Sequence, residues 1–278
     1  MFKAIRNTVK KKNIDGFLDD LVRDAKLYRI IHEPSFKRPP WTIEQRGVRD
    51  SLDALNHFGV RFSVPFLLTG MREWEEGALT LRQLTTVLNN LENFHFLFNA
   101  VTNQRATGGI IMMFASLARQ VHEKEGGGKY RACRDLAAKL RDRIPSYEEF
   151  KLCFSEIVYT LNVTRQKRLV RYILEKLLKF LGLPIDRESA TIEHLLPQSG
   201  GSHPDEVVGQ LGNLLLVPDK VNAEQLRAKP FAQKLKILNR YKCALDRKIA
   251  EANSWGRDEI ESRTAWMAEL AYKKIWVI

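Results

Sequence analysis

Few residues in this sequence have the type and spacing to do chemistry, and most of them fall between Thr191 and Asn222. The stretch TIEHLLPQSGG puts Glu193 and His194 at the end of a strand-like run, with a proline and two glycines close behind. A second apolar run, NLLLVP, opens with Gly212-Asn213, and Asn222 lies nine residues beyond Asn213 in DKVNAEQL. An imidazole ordinarily titrates near 6.5, so it suits the removal of a proton from water at neutral pH. Glu and Asn supply the oxygen ligands that a hard divalent cation prefers. Such a cation offsets charge on a scissile phosphate and on the departing oxygen. Together the four residues have the makings of a one-metal phosphodiesterase site. Each also has a purely structural use: a buried hydrogen-bonded histidine, a turn asparagine beside Gly212, an asparagine at a helix start. His203, in GGSHPD, reads as a loop residue.

To position these groups the chain needs strand, loop, strand and helix in succession, a small compact insert between about 190 and 235. Asp219 is placed to cap the helix, with Asn222 in its first turn. Everything else reads as helix. IDGFLDDLVRDAKLYRII (14–31) has apolar residues at three- and four-residue spacings. HEPSFKRPPW interrupts with three prolines. Thr80 and Gln83 stand in capping-box spacing before another apolar-periodic stretch, as do Ser146 and Glu149. A further helix, GGIIMMFASLARQVHEK, closes at Gly126-Gly127-Gly128. Met112, Met113, Phe94 and Phe98 read as core filling, and His32, His57, His95 and His122 have no partner at metal spacing. The fold class is therefore mainly α-helical with a small ββα insert near the C-terminus. Residues 1–145 form a helical domain of unassigned role, and 146–278 form the domain that carries the chemistry.

The formal net charge of +12, spread over both halves of the chain, favours a polyanionic partner. Arg165, Lys167, Arg168 and Arg171 precede the insert and Lys229, Lys234, Lys236, Arg240 and Lys242 follow it; such residues contact phosphates without reading sequence. Cys133, Cys153 and Cys243 are scattered, so neither a disulfide framework nor a thiolate zinc site is expected, as suits a reducing cytoplasm. The longest apolar run, Ile110 to Ala118, is far shorter than the roughly 20 residues that span a bilayer. The basic N-terminus, MFKAIRNTVKKKN, has no apolar region behind it and is not a secretory signal.

The order (D/E)-H, then N-L, then H or N on a helix resembles the ββα-metal, or HNH, nuclease signature. More narrowly, TIEHLLPQ, LGNLLLVPDKVNAE, KPFAQK and WGRDEIESRTAWMAELAYKKIW resemble the C-terminal HNH domain of GmrSD-type modification-dependent restriction enzymes, over about 146–278. TRQKRLVRYILEKL is similar to the helix that precedes the motif there. The resemblance implies an endonuclease that nicks or cleaves DNA with Mg²⁺ or Mn²⁺, as the effector of a bacterial anti-phage restriction system. It implies His194 as general base, Asn213 as the brace that orients it, and Asn222 and Glu193 as metal ligands. Lys229 and Lys234 gain weight as DNA contacts because Phe231 to Lys234 matches the family's F-x2-K. Complete enzymes of the group also carry a nucleotide-handling domain that senses the modification, but no G-x-x-x-x-G-K-[ST] loop occurs in this sequence. A separate sensor subunit, or a sensor half of a longer protein, is therefore the expected partner. The alternatives are a non-catalytic DNA- or protein-binding module with a degenerate HNH fold, and an RNase using the same site.

Overall fold

The computed structural model describes residues 13–183, 185–198 and 204–278. His203 and nearly all of the basic N-terminal stretch lie outside the described residues. The chain divides into two compact units, Met1–His95 with Gln104–Arg143 and Ile278, and Phe96–Asn103 with Ile144–Val277.

The first unit is built from α1 (Ile14–His32), α2 (Arg46–His57), α3 (Val64–Glu75), α4 (Leu81–His95), α5 (Gly108–Glu123) and α6 (Gly127–Arg141). The capping box before α4 is complete: Gln83 N–H donates to Thr80 Oγ1 at 3.2 Å, and Thr80 N–H donates to Gln83 Oε1 at 2.9 Å. Gly126 breaks the chain between α5 and α6 at φ +48°, a conformation that glycine adopts without a Cβ penalty. On α5 the buried stripe is Ile110, Phe114, Leu117, Ala118 and Val121. Met112 is off that stripe and 65% exposed, which corrects its reading as core; the helical period outweighs the residue's hydrophobicity. No helix among the described residues is long and apolar enough to cross a membrane.

The second unit takes one piece from the first half of the sequence. Residues Phe96–Val101 form a π-helical turn, and the ring of Phe96 stacks on Trp276 at 3.9 Å. Trp276 Nε1–H donates to Tyr172 Oη at 2.8 Å. The unit continues with α7 (Tyr147–Ser155), where the Ser146 hydroxyl accepts from Glu149 N–H, and α8 (Lys167–Phe180), which buries Leu169, Val170, Ile173, Leu174, Leu177 and Leu178 on one stripe. Strands β1 (Ala190–His194) and β2 (Leu214–Pro218) pair antiparallel, with His194 opposite Leu214 and Glu193 opposite Leu215. A single α turn, α9 (Asp219–Val221), runs directly into a π-helical turn, Asn222–Leu226. Asp219 is the first residue of α9 and Pro218 its cap, with no side-chain capping bond, in place of the expected Asp219 cap. Then come α10 (Phe231–Arg240) and α11 (Arg257–Leu270). Leu195, Leu215, Val217, Val221, Leu226, Phe231, Leu238, Trp255 and Ile260 form one apolar cluster beneath the hairpin. This is the mainly α-helical architecture with a small β insert that the patterning predicts.

Candidate active site

The hairpin is held in place through its second strand. The Arg263 guanidinium, 1% exposed, donates to the carbonyls of Gly212 at 2.8 Å and Leu214 at 2.9 Å, and pairs with buried Asp246 at 2.8 Å. Gly212 passes so close to α11 that a Cβ would lie 2.0 Å from the Ile260 carbonyl oxygen, so no other residue fits without displacing the helix. Its N–H donates to Thr264 Oγ1 at 2.9 Å. The next residue, Asn213, is fully buried and spends its whole amide. Nδ2 donates to the carbonyls of Leu196 at 2.9 Å and Val208 at 2.7 Å. Oδ1 accepts from Leu196 N–H at 2.7 Å and Trp255 Nε1–H at 3.1 Å. The chain leaving His194 is thus bound to Asn213 over two residues, since Leu195 N–H also donates to the Asn213 carbonyl at 2.9 Å.

His194 ends β1 with its ring buried. Nε2 lies 2.8 Å from the Tyr159 carbonyl oxygen, which can only accept, so the proton sits on Nε2 and the lone pair on Nδ1. Gln198 Nε2 donates to that lone pair at 3.1 Å. Burial holds His194 below the ordinary imidazole value and the nearby Lys234 charge adds to this, against the Tyr159 hydrogen bond. The result is a neutral imidazole with a fixed tautomer.

Glu193 is buried beside Lys234, whose Nζ lies 2.5 Å from Glu193 Oε1 and 2.5 Å from the His194 carbonyl oxygen. Burial raises the carboxyl and lowers the ammonium, and each is drawn back toward its charged form by the other. Alternation along β1 puts Thr191 and Glu193 on one face and Ile192 and His194 on the other. Asn222, half-buried, donates from Nδ2 to Thr191 Oγ1 at 3.0 Å and to the Ile192 carbonyl at 3.3 Å. Its Oδ1 accepts no hydrogen bond from the described residues. Asn222 is therefore tied to the Glu193 side of β1, whereas the His194 ring is tied to the segment around Tyr159. No hydrogen bond joins the two among the described residues.

Residues 144–270 match the family model of the GmrSD restriction endonucleases, C-terminal domain. This segment is a GmrSD C-terminal domain. No curated protein matches the chain. The second unit thus carries a nuclease domain of the restriction endonuclease type, with Glu193 and His194 at the end of β1, Asn213 just before β2 and Asn222 in the π-helical turn that follows.

The basic residues of this GmrSD C-terminal domain divide into two groups. Arg165, Lys167 and Arg168 are exposed, and the Lys167 ammonium lies 5.7 Å over the Tyr159 ring, itself 5.7 Å from the His194 ring. Lys236, Arg240 and Lys242 are also exposed. The other three expected phosphate contacts are engaged within the protein, Arg171 and Lys229 half-buried and Lys234 buried. Arg171 donates to the Ala190 and Arg187 carbonyls and to Glu175, fixing the entry to β1. Lys229 Nζ donates to the Gln225 carbonyl at the end of the π-helical turn. Lys234, 1% exposed, is the Glu193 partner described above. Sequence reasoning passed over Gln198 as a member of the site and gave Lys234 to DNA phosphate, where the structure pairs it with Glu193. Gln198 stands in the quoted TIEHLLPQ, four residues after His194, but nothing in the pattern reveals that its amide faces Nδ1. The Tyr159 carbonyl has no sequence signal at all.

Proposed function

We propose that the second unit is a DNA endonuclease in which His194 is the general base. The observation that carries this reading is the ring tautomer: Nε2–H is committed to the Tyr159 carbonyl, so the Nδ1 lone pair is the one that meets an incoming donor. A water in the place of the Gln198 amide would give its proton to Nδ1 while its oxygen attacks phosphorus in line, with the 3′-oxygen departing and a 5′-phosphate left behind. Burial favours the neutral ring that this step requires. Arg165, Lys167 and Arg168 are the phosphate contacts in this reading, since exposed cations beside the Tyr159 segment suit a passing backbone.

The resemblance to HNH nucleases implies a Mg²⁺ or Mn²⁺ ion. The donor chemistry fits one ion held through oxygen by Glu193 and Asn222 on the same face of β1, completed by water and DNA phosphate. Among the described residues no three His, Cys, Asp or Glu side chains stand close enough to hold a metal by themselves, so phosphate oxygens are part of the set. Such an ion supplies charge compensation at the scissile phosphate and the leaving oxygen. The effector acts for an anti-phage restriction system in the bacterial cytoplasm, with a nucleotide-dependent sensor domain or subunit choosing the modified target; one site per chain nicks, and paired sites cut both strands.

Both ring nitrogens of His194 are already hydrogen-bonded and Glu193 already has a cationic partner, which favours a second reading, a non-catalytic DNA- or protein-binding module. Plasmid nicking with Mg²⁺ separates the two. The wild-type protein is expected to nick, and His194→Ala is expected to lose at least about 100-fold in rate, the lower range for a general base, with its thermal transition retained. Equal rates in both proteins would remove the base assignment. RNA in place of the plasmid tests the RNase alternative.

A further inference from the structure

The carboxylate that the metal reading gives to a divalent ion already has a resident cation. Lys234 is 1% exposed, and its Nζ is 2.5 Å from Glu193 Oε1. The helix that carries it is anchored on both sides of the lysine: Phe231 stacks on Trp255 at 5.1 Å, and Leu238 is fully buried in the same core. The ammonium is also bound to the His194 carbonyl. Release of Lys234 into solvent would thus break a buried pair and open the core. The remaining donor, Asn222 Oδ1, is neutral. A Glu193–Lys234 pair with a neutral amide presents no net negative charge to Mg²⁺, which is normally held by carboxylates together with substrate phosphates.

We propose that Lys234 is an internal counter-cation that keeps Glu193 closed to a divalent ion until DNA phosphates supply the missing negative charge, so that metal uptake depends on DNA. The proposal rests on the reading of Glu193 and Asn222 as the metal ligands. It makes Lys234 a positioning residue that sets when the ion enters, and so guards a nuclease against loading without its substrate.

The test uses Mn²⁺ as the probe, with the free ion counted by electron paramagnetic resonance at pH 8. The full chain carries His194→Ala to prevent cleavage, and binding to DNA alone is subtracted. With Lys234 present, a DNA duplex is expected to tighten Mn²⁺ binding by roughly tenfold or more. Lys234→Met is expected to give a gain of roughly that size without DNA, since the competing charge is gone. Adding Glu193→Gln to Lys234→Met should abolish the gain. Mn²⁺ binding that is already tight without DNA when Lys234 is present overturns the proposal and leaves the metal reading standing. So does a folded Lys234→Met protein with no gain. Failure to bind Mn²⁺ even with DNA overturns the metal reading itself. Should Lys234→Met not fold, the comparison with and without DNA decides alone.

Discussion

At the scale of single residues, the proposed base His194 joins two requirements that usually conflict. A buried imidazole is costly unless hydrogen-bonded, and a general base must keep a lone pair for its substrate. The Tyr159 carbonyl takes one nitrogen, and the Gln198 side-chain amide takes the other. The same burial has a consequence for stability. His194 is held below its ordinary value in the folded protein, so between that lowered pKa and about 6.5 the unfolded chain binds more protons than the folded one. Stability must therefore rise with pH across this window and fall as pH drops through it. Urea unfolding in a metal chelator at pH 5 and pH 7.5 checks this: the wild-type protein is expected to lose more stability at pH 5 than His194→Gln, which cannot take up that proton. An equal loss in both would show that the ring does not titrate on unfolding.

At the scale of elements, the site is a hairpin bolted to a distant helix. Gly212 and Arg263 make the joint, and Asn213 passes it on to the loop after His194. Gly212→Ala places its Cβ 2.0 Å from a backbone carbonyl oxygen, which cannot rotate aside. The substitution is expected to destabilise the second unit by about 3 kcal/mol, the upper part of the usual range for overpacking. Nicking activity should fall even where the protein remains folded, because Asn213 moves with the joint. Chemical denaturation and the plasmid assay on one preparation measure both effects; a variant as stable as wild type would mean that α11 accommodates the methyl group at little cost.

At the scale of the whole molecule, the net charge of +12 overstates the surface available to DNA. Arg171, Lys229 and Lys234 serve internal carbonyls and carboxylates, and Arg263 is a buried clamp. The exposed group Arg165, Lys167 and Arg168 remains next to the Tyr159 segment. If all three neutralise phosphates, replacing them with Gln should lower the slope of log affinity against log salt by about 3, at roughly 0.9 per contact. Fluorescence anisotropy with a labelled duplex over a salt series gives the slope. An unchanged slope would move the DNA surface elsewhere, with Lys236, Arg240 and Lys242 as the next set.

Local signals were enough for the parts that depend on neighbours in the chain. The period of apolar residues gave the helices, Thr80 and Gln83 gave a capped start that the structure completes, and the E-H, N-L and Asn222 blocks gave a hairpin followed by a helix. Side-chain direction and burial were decided by tertiary structure. Met112 and Lys234 show this in opposite senses, the apolar residue facing solvent and the charged one sealed in the core, because each follows the face of its helix and what packs there. The partner of Glu193 lies 41 positions away and that of His194 Nε2 35 positions away, distances over which composition and spacing carry no orientation. The sequence by itself picked out Glu193, His194, Asn213 and Asn222 and the hairpin and helical turn that carry them, since residue type and spacing are local. Only the fold decided which of their atoms are already engaged, since that depends on groups brought in from elsewhere in the chain.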